Sequence, residues 1–266
     1  MIATDLDGTL LRDDKTVSAR TIAALAAAER AGIEVFFVTG RPARWMEVVS
    51  AHVHGHGLAI CSNGAAVVDL REGGRLLRAR ELARRDALTV VRELRQLAPG
   101  VSFAVESVDG IRFEPGCPIR IQPTHAPEGP AEALLSLEEE ATASPVLKLL
   151  ATHPSLDPDG FLTLARTGVG WAAEFTRSSP TALLEVSGRG VSKASTLALC
   201  CAERGVSADQ VVAFGDMPND LEMLGWAGRA YAMANAHPEV LASTPRTAPS
   251  NEEDGVARVI EELLAG

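Results

Sequence analysis

Three short apolar runs near the start of the chain, "MIATDL", "IEVFFV" and "GLAIC", are separated by stretches of helical period, and that alternation restricts the fold most. The run "IEVFFV" has no polar alternation, the pattern of a strand covered on both faces. Before it lies "VSARTIAALAAAERAGI", with Ser18 placed to cap a helix and Gly32 to stop it. "PARWMEVVSAHV" resumes a helical period, with Pro42 suited to its first turn. "GLAICSNGAAVVDL" reads as a strand, a turn at Asn63-Gly64 and a further strand. This order predicts an α/β fold: a Rossmann-like, doubly wound parallel sheet with crossover helices.

From about Leu82 the texture changes. "ARRDALTVVRELRQLA" is helical, and "VSFAVES" and "GIRFEP" are short strands around Asp109-Gly110. After a stretch rich in proline and glycine come a helix in "AEALLSLEEEA", strands in "SPVLKLLATH", "WAAEFTR" and "TALLEVS", and the helix "LDPDGFLTLARTG". Such a mixture suits a separate α+β unit. Beyond Gly190 the first texture returns, with helix "SKASTLALCCAERG", strand "VVAFGD", helix "LEMLGWAG", strand "RAYAM" and helix "GVARVIEELL". The expected organisation is a core of residues 1–82 and 188–266 interrupted by an insert, 83–187.

Composition narrows the partners. The 266 residues carry a net charge of −10, which disfavours nucleic acid or an anionic membrane as the main partner. No run is long and apolar enough for a transmembrane helix, and the N-terminus has no secretory pattern. Cys61, Cys117, Cys200 and Cys201 lack metal-type spacing and read as buried free thiols, so a cytoplasmic location is expected. An anionic substrate would have to be attracted locally.

The ends of the apolar runs carry the chemistry. In an open parallel sheet, ligands bind beyond the carboxyl ends of the strands. There the chain sets Asp5 and Asp7 of "DLDGT", Thr39 of "VTGR", and Asp216, Asn219 and Asp220 of "FGDMPND", with Lys193 at a helix start. A carboxylate can attack phosphorus, a second acid can protonate the leaving oxygen and then activate water, and hydroxyl, amide and ammonium groups can hold phosphoryl oxygens. With Asp7 protonated, Asp5, Asp216 and Asp220 still meet the phosphate as like charges. Each such contact costs on the order of 4 kcal/mol at 4 Å and an effective dielectric of 20. One lysine does not offset that, whereas a hard dication with oxygen ligands, Mg²⁺, does.

With "DLDGTLL", "VTGR", "GVSKAS" and "GDMPND" in this order, the chain resembles a haloacid-dehalogenase-superfamily phosphatase, of the Cof-like type IIB group with an inserted α/β cap. The tail "AYAMANAHPEV…NEEDGVARVIEELL" is similar to the group's C-terminal pattern as well. The resemblance implies Asp5 as nucleophile, Asp7 as general acid/base, Thr39 and Gly40 as phosphate cradle, and Lys193 as the neutralising cation. It implies a metal site of Asp5, the Asp7 backbone carbonyl and Asp216, Asn219 as a phosphate or substrate contact, and Asp220 positioning Lys193 or a metal-bound water. Where the group usually has glycine this chain has Met217-Pro218, which stiffens the loop and leaves each polar role filled.

Other readings of single residues stand open. Asp220 also suits a helix N-cap, Asn63 an ordinary turn, and Arg41 a solvent-facing helix start; Lys148 and Trp171 suit either strand burial or substrate contact. The triplet His52, His54 and His56 lacks a partner acid for a metal. The expected substrate is a small phosphate ester, and the expected reaction its hydrolysis through an aspartyl-phosphate. A phosphomutase, a receiver domain and a catalytically silent phosphate-binding module are the rival readings. The insert is poor in rings, with Phe103, Phe113, Phe161, Trp171 and Phe175 mostly in core-type patterns. Few are left to stack on a flavin, which favours a sugar or polyol phosphate over flavin mononucleotide or pyridoxal phosphate. Arg41, Arg112 and Lys148 are the candidate contacts for such a substrate.

Overall fold

The apolar runs at the start of the chain form strands β1 (Ile2–Thr4), β2 (Val35–Val38) and β3 (Leu58–Cys61), with helices α1 (Ala19–Arg30) and α2 (Glu47–Ser50) between them. The computed structural model describes residues 1–51, 57–119, 126–136, 144–179 and 181–266. The His52, His54 and His56 triplet and the end of the helix read in "AEALLSLEEEA" lie outside the described residues. Ser18 caps α1, its Oγ accepting from the Thr21 N–H at 3.0 Å, and Gly32 follows at φ +78°. Strand β4 (Ala66–Asp69) returns antiparallel to β3 after the Asn63-Gly64 turn, and β5 (Arg75–Ala79) lies at the sheet edge. Strand β5 carries no strand pattern in the sequence, because its run Arg75-Leu76-Leu77-Arg78 has no apolar alternation and is mostly exposed.

The chain divides into two units, Met1–Arg78 with Ser192–Gly266, and Ala79–Val191. The second unit holds α3 (Arg84–Leu97), β6 (Ser102–Ser107), β7 (Gly110–Phe113), α4 (Ala131–Leu134), β8 (Val146–Thr152), α5 (Pro158–Val169), β9 (Glu174–Thr176) and β10 (Leu183–Ser187). Its strands pair antiparallel in the order β7-β6-β8-β10-β9. Phe103, Val105, Leu149 and Val186 on one sheet face join Val90, Leu94 and Phe161 of α3 and α5 in one core. On the other face Lys148 and Glu185 form a buried ion pair at 2.9 Å.

Back in the first unit come α6 (Lys193–Ala202), β11 (Val212–Gly215), α7 (Leu221–Trp226), β12 (Arg229–Met233), α8 (Pro238–Ser243), β13 (Thr247–Ala248) and α9 (Gly255–Ala265). Among the described residues the sheet has eight strands, in the order β13-β12-β11-β1-β2-β3-β4-β5. Every pairing from β13 to β3 is parallel. The chain builds outward from β1 through β2 and β3, then comes back to β1's other side with β11. Strand order therefore reverses between β1 and β11, which is where an open α/β sheet leaves a crevice at its carboxyl ends. The four cysteines are buried and form no disulfide, and among the described residues no helix is long and apolar enough to cross a membrane.

Phe161 is fully buried in the second unit's core. Phe161→Ala should cost about 3–5 kcal/mol, read as a lowered midpoint of urea unfolding followed by circular dichroism.

Candidate active site

Each strand end at the reversal delivers one part of the site. Asp5 follows β1, Thr39 follows β2, Asn63 follows β3 and Asp216 follows β11. Lys193 opens α6, whose start is fixed by a reciprocal Ser192–Ser195 capping box. The ammonium of Lys193 donates to Asp5 Oδ1 and to Asp220 Oδ1, both at 2.7 Å. Asp220 is fully buried and stands at the N-cap of α7 without a side-chain cap bond to it; its Oδ2 instead accepts the backbone N–H groups of Asp216 and Met217, each at 3.1 Å. It thus holds the loop that carries Asp216 and aims the lysine at the same time.

Asp216 takes a hydroxyl donated by Thr9 at 3.0 Å. Gly8, at φ +77°, packs so closely on the Asp216 carboxylate that a Cβ there would collide with it. The glycine and hydroxyl of "DGT" therefore serve Asp216 rather than only turning the chain. Thr9 is a functional neighbour that motif reading left unassigned; its one signal was a hydroxyl beside two acids.

Asp7 lies apart from this cluster's hydrogen bonds. Arg41 grips it with two bonds, Nε to Oδ2 at 2.6 Å and Nη2 to Oδ1 at 2.7 Å, and Lys15 adds a contact at 3.0 Å. Burial pushes this carboxyl up, but the hydrogen bonds and charges of Arg41 and Lys15 outweigh it, so Asp7 falls below its ordinary value. From sequence Asp7 is expected to be protonated; in the structure two cations contact it, which favours the carboxylate form. Arg41 therefore faces an acid and not solvent.

Thr39, 1% exposed, accepts the Arg41 N–H on its Oγ1 at 3.1 Å, and Gly40 follows in the same loop. Asn219 donates from Nδ2 to Asn63 Oδ1 at 3.1 Å, while its own Oδ1 is buried without a partner. Lys148 and Arg112 are engaged within the second unit, with Glu185 and Asp109, and Trp171 is 65% exposed.

Asp5, Asp216 and Asp220 can bring one oxygen each within 4.8 Å of one another. Burial drives Asp5 well above the usual carboxylate range, and Lys193 offsets this only partly against the added repulsion of Asp220 and Asp216. Burial and then Asp220 push Asp216 up to about 7. Burial would lower Lys193, yet Asp220 and Asp5 outweigh it and raise its value. Two buried acids, Asp5 and Asp220, thus share one ammonium, and Asp216 stands beside them with only a neutral hydroxyl donor. Asp5 and Asp216 each keep one carboxylate oxygen without a hydrogen bond among the described residues, and the Asn219 Oδ1 is orphaned nearby in sequence. An all-oxygen donor set with surplus negative charge fits a hard dication such as Mg²⁺.

A family model described as haloacid dehalogenase-like hydrolase matches residues 2–260. A 5-amino-6-(5-phospho-D-ribitylamino)uracil phosphatase of Bacillus subtilis is 29% identical, over 100% of this chain and 97% of its own. A pyridoxal phosphate phosphatase of Escherichia coli is also 29% identical, over 98% of this chain and 97% of its own. Among solved structures, the phosphatase BT1666 of Bacteroides thetaiotaomicron superposes with a TM-score of 0.78 at 23% identity, covering 98% of this chain and 93% of that one.

The raised value of Asp216 makes the metal-free chain pH-sensitive. A carboxyl near 3.9 when unfolded and near 7 when folded contributes stability at low pH that is lost as pH rises through that window. In EDTA, the thermal midpoint should fall between about pH 4 and pH 7, and Asp216→Asn should flatten that fall. Mg²⁺ should raise the midpoint of the parent at pH 8 and leave that of Asp216→Asn much less changed.

Proposed function

The chain belongs to the haloacid dehalogenase-like hydrolases, and on that premise we propose that it is a Mg²⁺-dependent phosphomonoesterase acting on a small phosphorylated metabolite. The observation that carries this reading is Asp5, 5% exposed at the strand-order reversal, with one oxygen on Lys193 and the other left over. A carboxylate so held is a nucleophile kept from water and from rotation.

In the first half-reaction a carboxylate oxygen of Asp5 bonds to phosphorus, the ester P–O bond breaks, and the leaving alkoxide takes a proton from Asp7. In the second, Asp7 removes a proton from water as its oxygen bonds to phosphorus, the aspartyl–phosphorus bond breaks, and Asp5 and inorganic phosphate are released. The Arg41 fork matches the carboxylate form of Asp7 needed for the second half; the first half requires Asp7 to be loosened from it and protonated. Thr39, Gly40, Asn219 and Lys193 hold the phosphoryl oxygens. Asp5, the Asp7 backbone carbonyl and Asp216 would hold the dication, which supplies positive charge against the phosphate and the acids when bound. Asp220 positions Lys193.

A polyol or sugar phosphate is the substrate class we favour. Phe103, Phe161 and Phe175 are consumed in the second unit's main core and Phe113 in its smaller one, leaving few rings to stack on a flavin. The substrate named for the Bacillus subtilis relative carries its phosphate on a ribityl chain, a polyol, which is joined there to a uracil ring. Choice of the alcohol we assign to the inserted unit, and the cytoplasm to the protein.

Asp5→Asn should abolish release of phosphate from 4-nitrophenyl phosphate without lowering the thermal midpoint, since the amide keeps shape but not nucleophilicity. Asp7→Asn should cost about 10²–10⁴-fold in kcat. Full-rate turnover by Asp5→Asn would overturn the covalent route. EDTA should remove activity and Mg²⁺ restore it, with Ca²⁺ a poor substitute because it prefers more ligands at longer distances. A phosphometabolite panel that favours flavin mononucleotide would overturn the polyol preference alone.

A further inference from the structure

The turn Ser62-Asn63-Gly64 is unusual chemistry for a hairpin. All three residues have positive φ, 51°, 55° and 103°, and the first two are not glycine. All three are buried. Non-glycine residues persist in the left-handed region only where their surroundings over-determine them, and such positions cluster at functional sites. The surroundings here are three separate segments of the proposed site. The Ser62 N–H donates to the Arg41 carbonyl at 2.9 Å and the Asn63 N–H to the Thr39 carbonyl at 3.0 Å, tying the turn to the phosphate loop. The Gly64 carbonyl accepts from Thr196 Oγ1 at 2.8 Å, and a Cβ on Gly64 would collide with the Ser192 carbonyl, so the turn also seats the start of the Lys193 helix. The third link is the Asn63 side chain, whose Oδ1 accepts from Asn219 Nδ2 at 3.1 Å.

That third link has a chemical consequence. A carboxamide is nearly symmetric in shape, and a half-turn about its last bond swaps donor for acceptor. A fixed acceptor on one side decides which edge is which. With Asn63 Oδ1 in place, Nδ2 of Asn219 is committed to that side, its second N–H remains to be given, and Oδ1 stays as a buried acceptor with no partner. We infer that Asn63 is a positioning residue: it sets the orientation of the Asn219 amide, and so which group Asn219 offers to a phosphoryl oxygen. The inference rests on the phosphomonoesterase reading and on Asn219 as a phosphate contact. Left-handed backbone explains why asparagine stands here, since it is among the few residues besides glycine that accept this conformation.

The test is a double-mutant cycle in the full chain with Mg²⁺, using Asn63→Gly, Asn219→Ala and both together. Glycine keeps the left-handed backbone and removes only the carboxamide, so the thermal midpoint should stay within a few degrees. Two readouts are taken for each protein: kcat/KM for 4-nitrophenyl phosphate, and Kd for inorganic phosphate by titration calorimetry. Asn63→Gly should lower kcat/KM at least tenfold and weaken phosphate, and the double variant should be no worse than Asn219→Ala within about twofold. Unchanged kcat/KM and Kd in Asn63→Gly, or effects that multiply in the double variant, would overturn the role of Asn63. A parent that binds phosphate but releases none from the ester condemns the hydrolase reading alone, and the cycle in Kd still decides Asn63.

Discussion

One ammonium holds the first unit's two halves to a common point. Lys193 is 2% exposed and contacts Asp5, 188 residues earlier, and Asp220, 27 residues later. An ion pair this deep is a poor source of stability in itself, because desolvation consumes much of the attraction, but losing one partner strands the other charge at a cost of about 3–5 kcal/mol. The chain must therefore come back from the insert with α6 beginning in the right place. Several features serve that return: the Ser192–Ser195 capping box, the close approach of Gly64 to Ser192, and the bond from Thr196 to the Gly64 carbonyl. Where the insert begins and ends, Arg80 donates to the Gly190 carbonyl at 2.8 Å, and Gly188 lies against the Glu81 carbonyl, so its two connecting segments run side by side.

What could be read from the sequence was whatever local pattern determines. The runs "IEVFFV" and "VVAFGD" are strands because unbroken apolar segments have to be covered on both faces, and polar residues at their ends had to lie at the sheet's carboxyl edge. Ser18 and Gly32 bound α1 for reasons of backbone geometry alone. Elements without such a pattern escaped: β5 for its exposed Arg and Leu, β13 for its two residues, and α8 because His237-Pro238 starts only a short helix. Side-chain partnerships escaped for a different reason. Arg41 with Asp7 spans 34 residues and Asn63 with Asn219 spans 156, and neither has a spacing rule that links its members. The left-handed Asn63 was compatible with any tight turn; only its burial and its partner distinguish it.

The pairing of Asp7 changes the electrostatics more than it changes the list of parts. Around the strand-order reversal stand four carboxylates, Asp5, Asp7, Asp216 and Asp220, and three cations, Lys193, Arg41 and Lys15, which contact all of them but Asp216. Fully ionised, that set carries one net negative charge, within a protein of net charge −10. A phosphate dianion approaching it meets repulsion both near and far. One dication on Asp5 and Asp216 turns the local balance to one net positive charge. With such a dication bound, the sign of the site, rather than its strength alone, would depend on the metal. Two ligands that each favour the other's site are coupled by the same factor in both directions. Phosphate affinity should therefore rise with Mg²⁺ and Mg²⁺ affinity with phosphate.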